Sequence, residues 1–193
     1  MKNHTRSLTV FLSLLPVLGA CETASNTYDR VATIWTDPLI YPCPEYRILK
    51  DGAHIIEFKK GQGRDLVDIN VEGAIGNAEL ECITRVDRET KKGHMEAKFR
   101  IVFAAKLGPA NSTRISNLPY FVSVTDKKQN ILYRETFDIS IAFPGNKTEA
   151  KFYGEDIKLE LPLSAKIKSQ DYIIFTGFKL TRDQLQYNRT HGR

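Results

Sequence analysis

The chain has 193 residues and carries 28 Lys and Arg against 23 Asp and Glu, a formal net charge of +5 at pH 7. That length suits one domain with a sizeable core, and so mild a basic excess gives no reason to expect nucleic acid. Weak attraction to anionic lipid or polysaccharide is compatible with it.

The first 21 residues carry the most information. Lys2 and Arg6 form a short basic start, Leu8 to Leu18 follow with no charged residue, and Leu18-Gly19-Ala20-Cys21 closes the segment. A basic start, an apolar stretch and small residues before a cut are the features of a secretory signal peptide. A cysteine directly after the small residues resembles the lipobox of bacterial lipoproteins. That resemblance implies removal of residues 1–20 and lipidation of Cys21 as the new first residue. The alternatives are an ordinary secretory signal and an uncleaved anchor. The apolar run covers 11 residues, whereas a spanning helix needs about 20, and Pro16 would weaken a longer helix. The implied address is a bacterial cell envelope, with the protein anchored to a membrane and facing the periplasm. One myristoyl-sized chain holds only marginally, so stable attachment implies more than one. Glu22 does not decide between inner and outer membrane.

Residues 21–41 then read as the lipidated cysteine and a tether. Glu22-Thr-Ala-Ser-Asn-Thr-Tyr-Asp29 is polar and non-periodic, which suits a flexible linker. Trp35, Leu39, Ile40 and Tyr41 add apolar groups, expected to dock on the domain rather than rest at a membrane interface. Pro42-Cys43-Pro44 opens the folded unit, residues 42–190. With Cys21 given to lipid, Cys43 and Cys82 remain of the three cysteines. An even pair in an oxidising compartment reads as a disulfide; two separate buried thiols are the alternative.

Beyond this point the hydrophobic period is two, the mark of half-buried strands. In His94 to Leu107, Met95, Ala97, Phe99, Ile101, Phe103, Ala105 and Leu107 share one face, opposite His94, Glu96, Lys98, Arg100 and Lys106. Ile131 to Phe143 repeats the pattern through Ile131, Tyr133, Phe137, Ile139, Ile141 and Phe143. Such long alternations exceed a typical strand, so a bend or a bulge that passes the chain between sheets is expected. Further strands are expected over Ala53 to Phe58, through Val67, Ile69, Val71 and Ile75, and through Leu80, Cys82, Thr84 and Val86 with Cys82 inward. Pro119 to Thr125, apolar on both faces, suits a central strand. Asp156 to Leu163 and Asp171 to Phe178 complete the set. Lys60 to Gly63, Asp126 to Asn130 and Pro144 to Asn146 supply turn residues, and the second of these joins a hairpin. Eight or nine strands with little helix predict an all-β, immunoglobulin-like β-sandwich. Thr181-Arg-Asp-Gln184 matches a capping box and predicts a short C-terminal helix near Leu185 and Tyr187.

No catalytic motif stands out. The nucleophile elbow, the P-loop and H-E-x-x-H are all missing from the sequence. No catalytic residue, cofactor or metal is therefore expected; His54, His94 and His191 are scattered, without the local spacing of metal ligands. Gly61-Gln-Gly-Arg64-Asp65 lacks the later glycine and the helix of a dinucleotide fingerprint, and reads as a hairpin loop. Arg64, Asp65 and Asp68 either form a local ion pair that rigidifies this turn or offer a polar recognition point, and they mark a candidate interaction loop. Basic clusters occur at Arg85, Arg88, Lys91 and Lys92 and at Lys127 and Lys128. They read as solvated loops, or less simply as a surface for anionic lipid heads or polysaccharide. The sequons at Asn111 and Asn146 are expected to be fortuitous.

Cys43-Pro44, Gly61-Gln-Gly-Arg-Asp65, Cys82, Leu118-Pro-Tyr-Phe-Val122, Phe143-Pro-Gly-Asn146 and Tyr187-Asn-Arg189 together resemble a family of uncharacterised proteobacterial envelope lipoproteins. The resemblance implies an envelope address and a β fold and brings no activity with it. The expected function is a lipid-anchored structural or protein-interaction module with an envelope protein as partner. The alternative is a ligand-binding module for glycan, lipid or peptide, for which Tyr120, Tyr133, Tyr153 and Tyr172 supply aromatics. A hydrolase using Asp65 and Asp68 would require both carboxyls in one cleft with shifted pKa values.

Overall fold

A computed structural model describes residues 41–61 and 63–191. The expected signal segment, Cys21, and the tether as far as Ile40, Trp35 included, lie outside the described residues. The regular structure of the rest is mostly strand: β1 (Glu45–Ile48), β2 (His54–Phe58), β3 (Ile69–Val86), β4 (Gly93–Leu107), β5 (Ile115–Asp126), β6 (Ile131–Ala142), β7 (Glu149–Tyr153), β8 (Ile157–Leu163) and β9 (Tyr172–Phe178), closed by α1 (Arg182–Thr190). One sheet has the order β1-β9-β5-β6; the other runs β2-β3-β4-β7, with β8 also on β4. β7 and β8 lie end to end along β4, against Val102–Lys106 and Gly93–Phe99 respectively. No described helix is long and apolar enough to cross a membrane.

The alternation in β4 sets the core. Met95, Ala97, Phe99, Ile101, Phe103 and Ala105 are all buried. Apart from buried Val102, their neighbours turn outward, and the charged ones form a ladder with β3 and with Asp156 just ahead of β8: Arg85 to Glu96 at 2.7 Å, Lys98 to Asp156 at 3.0 Å and Arg100 to Glu79 at 3.0 Å. Exposed pairs of this kind contribute about 0–1 kcal/mol each, so the ladder keeps this face wet more than it stabilises the fold. Between the sheets, the Phe103 ring lies 5.0 Å from Tyr120 and 5.8 Å from Phe178, and Tyr120 stacks on Phe137 at 5.4 Å. Such pairs contribute about 0.5–1.5 kcal/mol beyond the area they bury.

Several expectations change in detail. The two strands expected on either side of Gly76 are a single strand, β3, of 18 residues. Its register against β4 shifts between Ile75 and Asn77, and this bulge moves the inward set from Ile69, Val71 and Ile75 to Ala78, Leu80 and Cys82. β4 and β6 do not pass between sheets. β6 alternates as expected, but burial is reached only at Ile139 and Ile141, while Ile131 and Tyr133 are exposed. β6 is a sheet edge, and its first half extends beyond the cover of the opposite sheet. Val67 is exposed as well, in a 3-10 turn ahead of β3. β1 and β7 were not foreseen.

The expected disulfide is present: Cys43 is bonded to Cys82, with Cα atoms 5.7 Å apart. It ties the segment leading into β1, in one sheet, to β3 in the other. The Tyr46 hydroxyl of β1 donates to the Ala78 carbonyl at 2.9 Å, just past the β3 bulge. The bridged cysteines are 39 residues apart, and chain entropy for such a loop gives about 4 kcal/mol of stabilisation. A Cys43→Ser/Cys82→Ser double variant should therefore lose about that much in urea unfolding, with α1 and the strands retained in its circular dichroism; an unchanged midpoint would contradict the role given to the bridge.

Candidate binding groove between β2 and the C-terminal helix

Strand β2 is the edge of its sheet, and an uncovered edge presents unpaired backbone groups. Here α1 covers it. Thr181 starts the helix with the expected capping box: its N–H donates to Gln184 Oε1 at 2.8 Å, and the Gln184 N–H returns to Thr181 Oγ1 at 3.2 Å. Gln184 Nε2 donates to the Ile56 carbonyl at 3.1 Å. Asn188, which is only 1% exposed, donates to the carbonyls of Asp51 at 3.0 Å and His54 at 2.8 Å. Arg189 pairs with Asp51 at 2.8 Å. Amide side chains thus satisfy the outward carbonyls of β2 and lock the helix beside it.

Helix and strand meet at an angle that leaves a groove of about 1070 Å³. Phe58 and Tyr187 pack edge to face at 6.1 Å between its walls. Lys59, Lys60, Gly61 and Arg64 line one side, and Asp183, Gln186 and Thr190 the other. The Arg64 guanidinium lies over the Phe58 ring, 5.3 Å from its centre, and donates to the Gly63 carbonyl at 3.0 Å. Burial raises the Glu57 carboxyl above the usual range, and a hydrogen bond with Asn70 partly offsets this. The groove therefore combines an aromatic floor with cations on its rim and, in Glu57, a carboxyl that burial raises above its usual range.

The expected interaction loop divides between two tasks. Arg64 faces the groove, whereas Asp65 and Asp68 do not line it. Asp68 is buried and accepts from Lys59 Nζ at 2.6 Å and from the Asp65 N–H at 3.2 Å. These bonds, with Lys59 foremost, hold its carboxyl below the usual range. A Cβ at Gly63 would run into the Asp68 carboxylate and displace it from these bonds, and Gly61 sits at φ +136°. The local ion pair that rigidifies the turn is thus formed, between Asp68 and Lys59 rather than with Arg64. Among the aromatics noted in the sequence, Tyr120 and Tyr172 belong to the core, and burial pushes the Tyr120 hydroxyl up to about 12; Tyr133 and Tyr153 are exposed. The aromatics of the groove, Phe58 and Tyr187, were not singled out. No cluster of His, Cys, Asp or Glu among the described residues could hold a metal ion.

No protein-family model, curated protein or solved structure matches this chain.

Asp68 is one of several carboxyls held below their usual range by hydrogen bonds, together with Asp87, Asp126, Asp171 and Glu96. Each titrates lower folded than unfolded, so its contribution is complete above the unfolded pKa and lost as pH falls through the folded one. The urea midpoint should be level down to about pH 5 and then fall below about pH 4. Asp68→Asn should lower the midpoint at neutral pH and flatten this acid fall. A variant with the same acid profile as the parent would rule out Asp68 as a contributor.

Proposed function

We propose that this protein is a lipid-anchored module of a bacterial envelope, held at Cys21 and facing the periplasm, and that it works by binding a partner protein. The groove carries this reading. Amphipathic clefts with aromatic floors and a polar rim suit an extended or helical segment of another protein, whose side chains bury against Phe58 and Tyr187 while Arg64 and Asp183 fix charge and direction. The disulfide supports an oxidising address, where such bridges persist. The two-sheet architecture, with a staple between the sheets, supports the immunoglobulin-like form of the sandwich.

A second reading is favoured by the same aromatic pair. Aromatic faces in a concave surface also suit a smaller ligand such as a glycan, a lipid or a free peptide. The two readings differ in what remains attached after cross-linking in the cell.

A photo-reactive amino acid at Gln186, an exposed groove residue, should give a discrete protein adduct in intact cells. Arg64→Glu should reduce that adduct by at least about fivefold, as expected for loss of one strong contact. The same probe at Lys147, outside the groove, should give none. Absence of any adduct above background at Gln186, or an adduct indifferent to Arg64→Glu, would contradict the partner reading.

A further inference from the structure

The chain comes into the sandwich at one particular end. β1 runs parallel to β9, with Glu45 opposite Ile173, so Pro44 and Cys43 lie beside the start of β9. The loops that crowd this end are 87–92 between β3 and β4, 126–130 between β5 and β6, and 164–171 between β8 and β9. They are tied together. Lys127 pairs with Asp171 at 2.8 Å, the Tyr172 hydroxyl donates to the Pro162 carbonyl at 2.7 Å, and Gly93 is in register with Leu163.

In each loop the aspartate is used to build the loop itself. Asp87 accepts from the Thr90 N–H and hydroxyl, both at 2.8 Å, where Lys91 takes a φ of 57°. Asp126 accepts from the N–H groups of Lys128 at 2.8 Å and Asn130 at 2.9 Å, where Gln129 takes a φ of 66°. Asp171 accepts from the Lys168 N–H at 2.8 Å besides pairing with Lys127. Each aspartate also acts on a lysine of its own loop, Asp87 on Lys91, Asp126 on Lys128 and Asp171 on Lys168, yet the three loops together carry seven Lys and Arg against four Asp and Glu. Arg88, Lys91, Lys92, Lys128, Lys166 and Lys168 are exposed and have no ion-pair partner among the described residues. Within these loops only Glu89 offsets them as an acid not engaged in loop building or pairing. Among the lysines stand Ile131, Leu132 and Ile167, which are 60%, 55% and 45% exposed. Leu132 has no partner in β5, because the register steps from Tyr133 to Ile131.

We propose that this end of the sandwich docks on an anionic bilayer, with the lysines against lipid phosphates and Ile131, Leu132 and Ile167 at the headgroup boundary. The proposal rests on the lipid-anchor reading for its geometry: this is the end from which the chain leads back to Cys21. The stretch between Cys21 and Tyr41 reaches at most about 70 Å, so an anchored domain samples its membrane at high effective concentration. Lysines near an anionic surface each strengthen binding severalfold, and exposed aliphatic side chains add apolar burial at the boundary. Docking at this end leaves the groove, which lies beside the opposite turns of β2, free for a partner.

The test uses the chain from position 21 onward carrying Cys21→Ser, which keeps every described element and the whole core but has no acyl group. Flotation with vesicles of phosphatidylglycerol and phosphatidylcholine should recover it, and pure phosphatidylcholine should not. The triple variant Lys92→Glu/Lys128→Glu/Lys166→Glu should weaken recovery by at least about tenfold, as should about 0.5 M salt. Leu132→Ser should weaken it as well, whereas Lys147→Glu/Lys179→Glu, at the opposite end, should not. No binding to anionic vesicles, or equal loss in the two charge-reversal variants, would overturn the proposal. Because the tested chain is not acylated, failure of the anchor itself would be read separately, from the mass of the native protein.

Discussion

The covalent link between Cys43 and Cys82 is the constraint that fixes the front of the chain and β1 to the sandwich. β1 has only 4 residues and pairs in parallel with β9, an arrangement slightly less stable per residue than antiparallel pairing. A strand so short would not hold the front of the chain by its own ladder. The bridge fixes it to β3, and Tyr46 reaches across to close the gap left by the bulge. Two consequences follow. The chain joins the sandwich at a defined end, among the lysine-bearing loops, and the fold owes part of its stability to a bond that persists only where thiols are oxidised.

The sheet edges are managed in different ways, and the difference bears on function. The edge of β2 is closed by Gln184 and Asn188 from α1, which converts an aggregation-prone surface into one wall of a groove. The outer edge of β8 carries Pro162, which is exposed and cannot donate to an added strand. β6 is left with its ladder open for 12 residues, but a bulge at Leu132 and the charged Arg134, Glu135 and Asp138 interrupt it as a template. The groove therefore offers a more specific contact than any strand edge, since it combines shape, aromatic surface and opposite charges in one place.

Much of this was legible in the sequence where one physical rule acted alone. β8 alternates because one face is buried and the other wet along its whole length, and β4 does so except at Val102, which is buried on the outer face. The capping box at Thr181 announced α1 because it is a local exchange of two hydrogen bonds. Legibility failed where distant residues decide the outcome. The bulge after Ile75 inverted the alternation and made β3 look like two strands. β1 and β7 are too short to show a period. The apolar residues at the start of β6 follow the pattern yet stay exposed, since only the opposite sheet could cover them. The groove was half visible: Arg64 was noted on its loop, but Phe58 and Tyr187 meet only through the packing of α1 on β2. The segments 61–65 and 187–189 stood out separately, and the fold brings Gly61 and Arg64 of the one and Tyr187 and Asn188 of the other to the same groove.

The most direct measurement is the intact mass of the protein recovered from cell membranes, before and after reduction. The expected result is a polypeptide that begins at Cys21 with added acyl mass and gains two hydrogens when the Cys43–Cys82 bridge is reduced. A mass that retains residues 1–20, or a chain without lipid, would contradict the envelope-lipoprotein assignment and return the groove to a protein in another compartment.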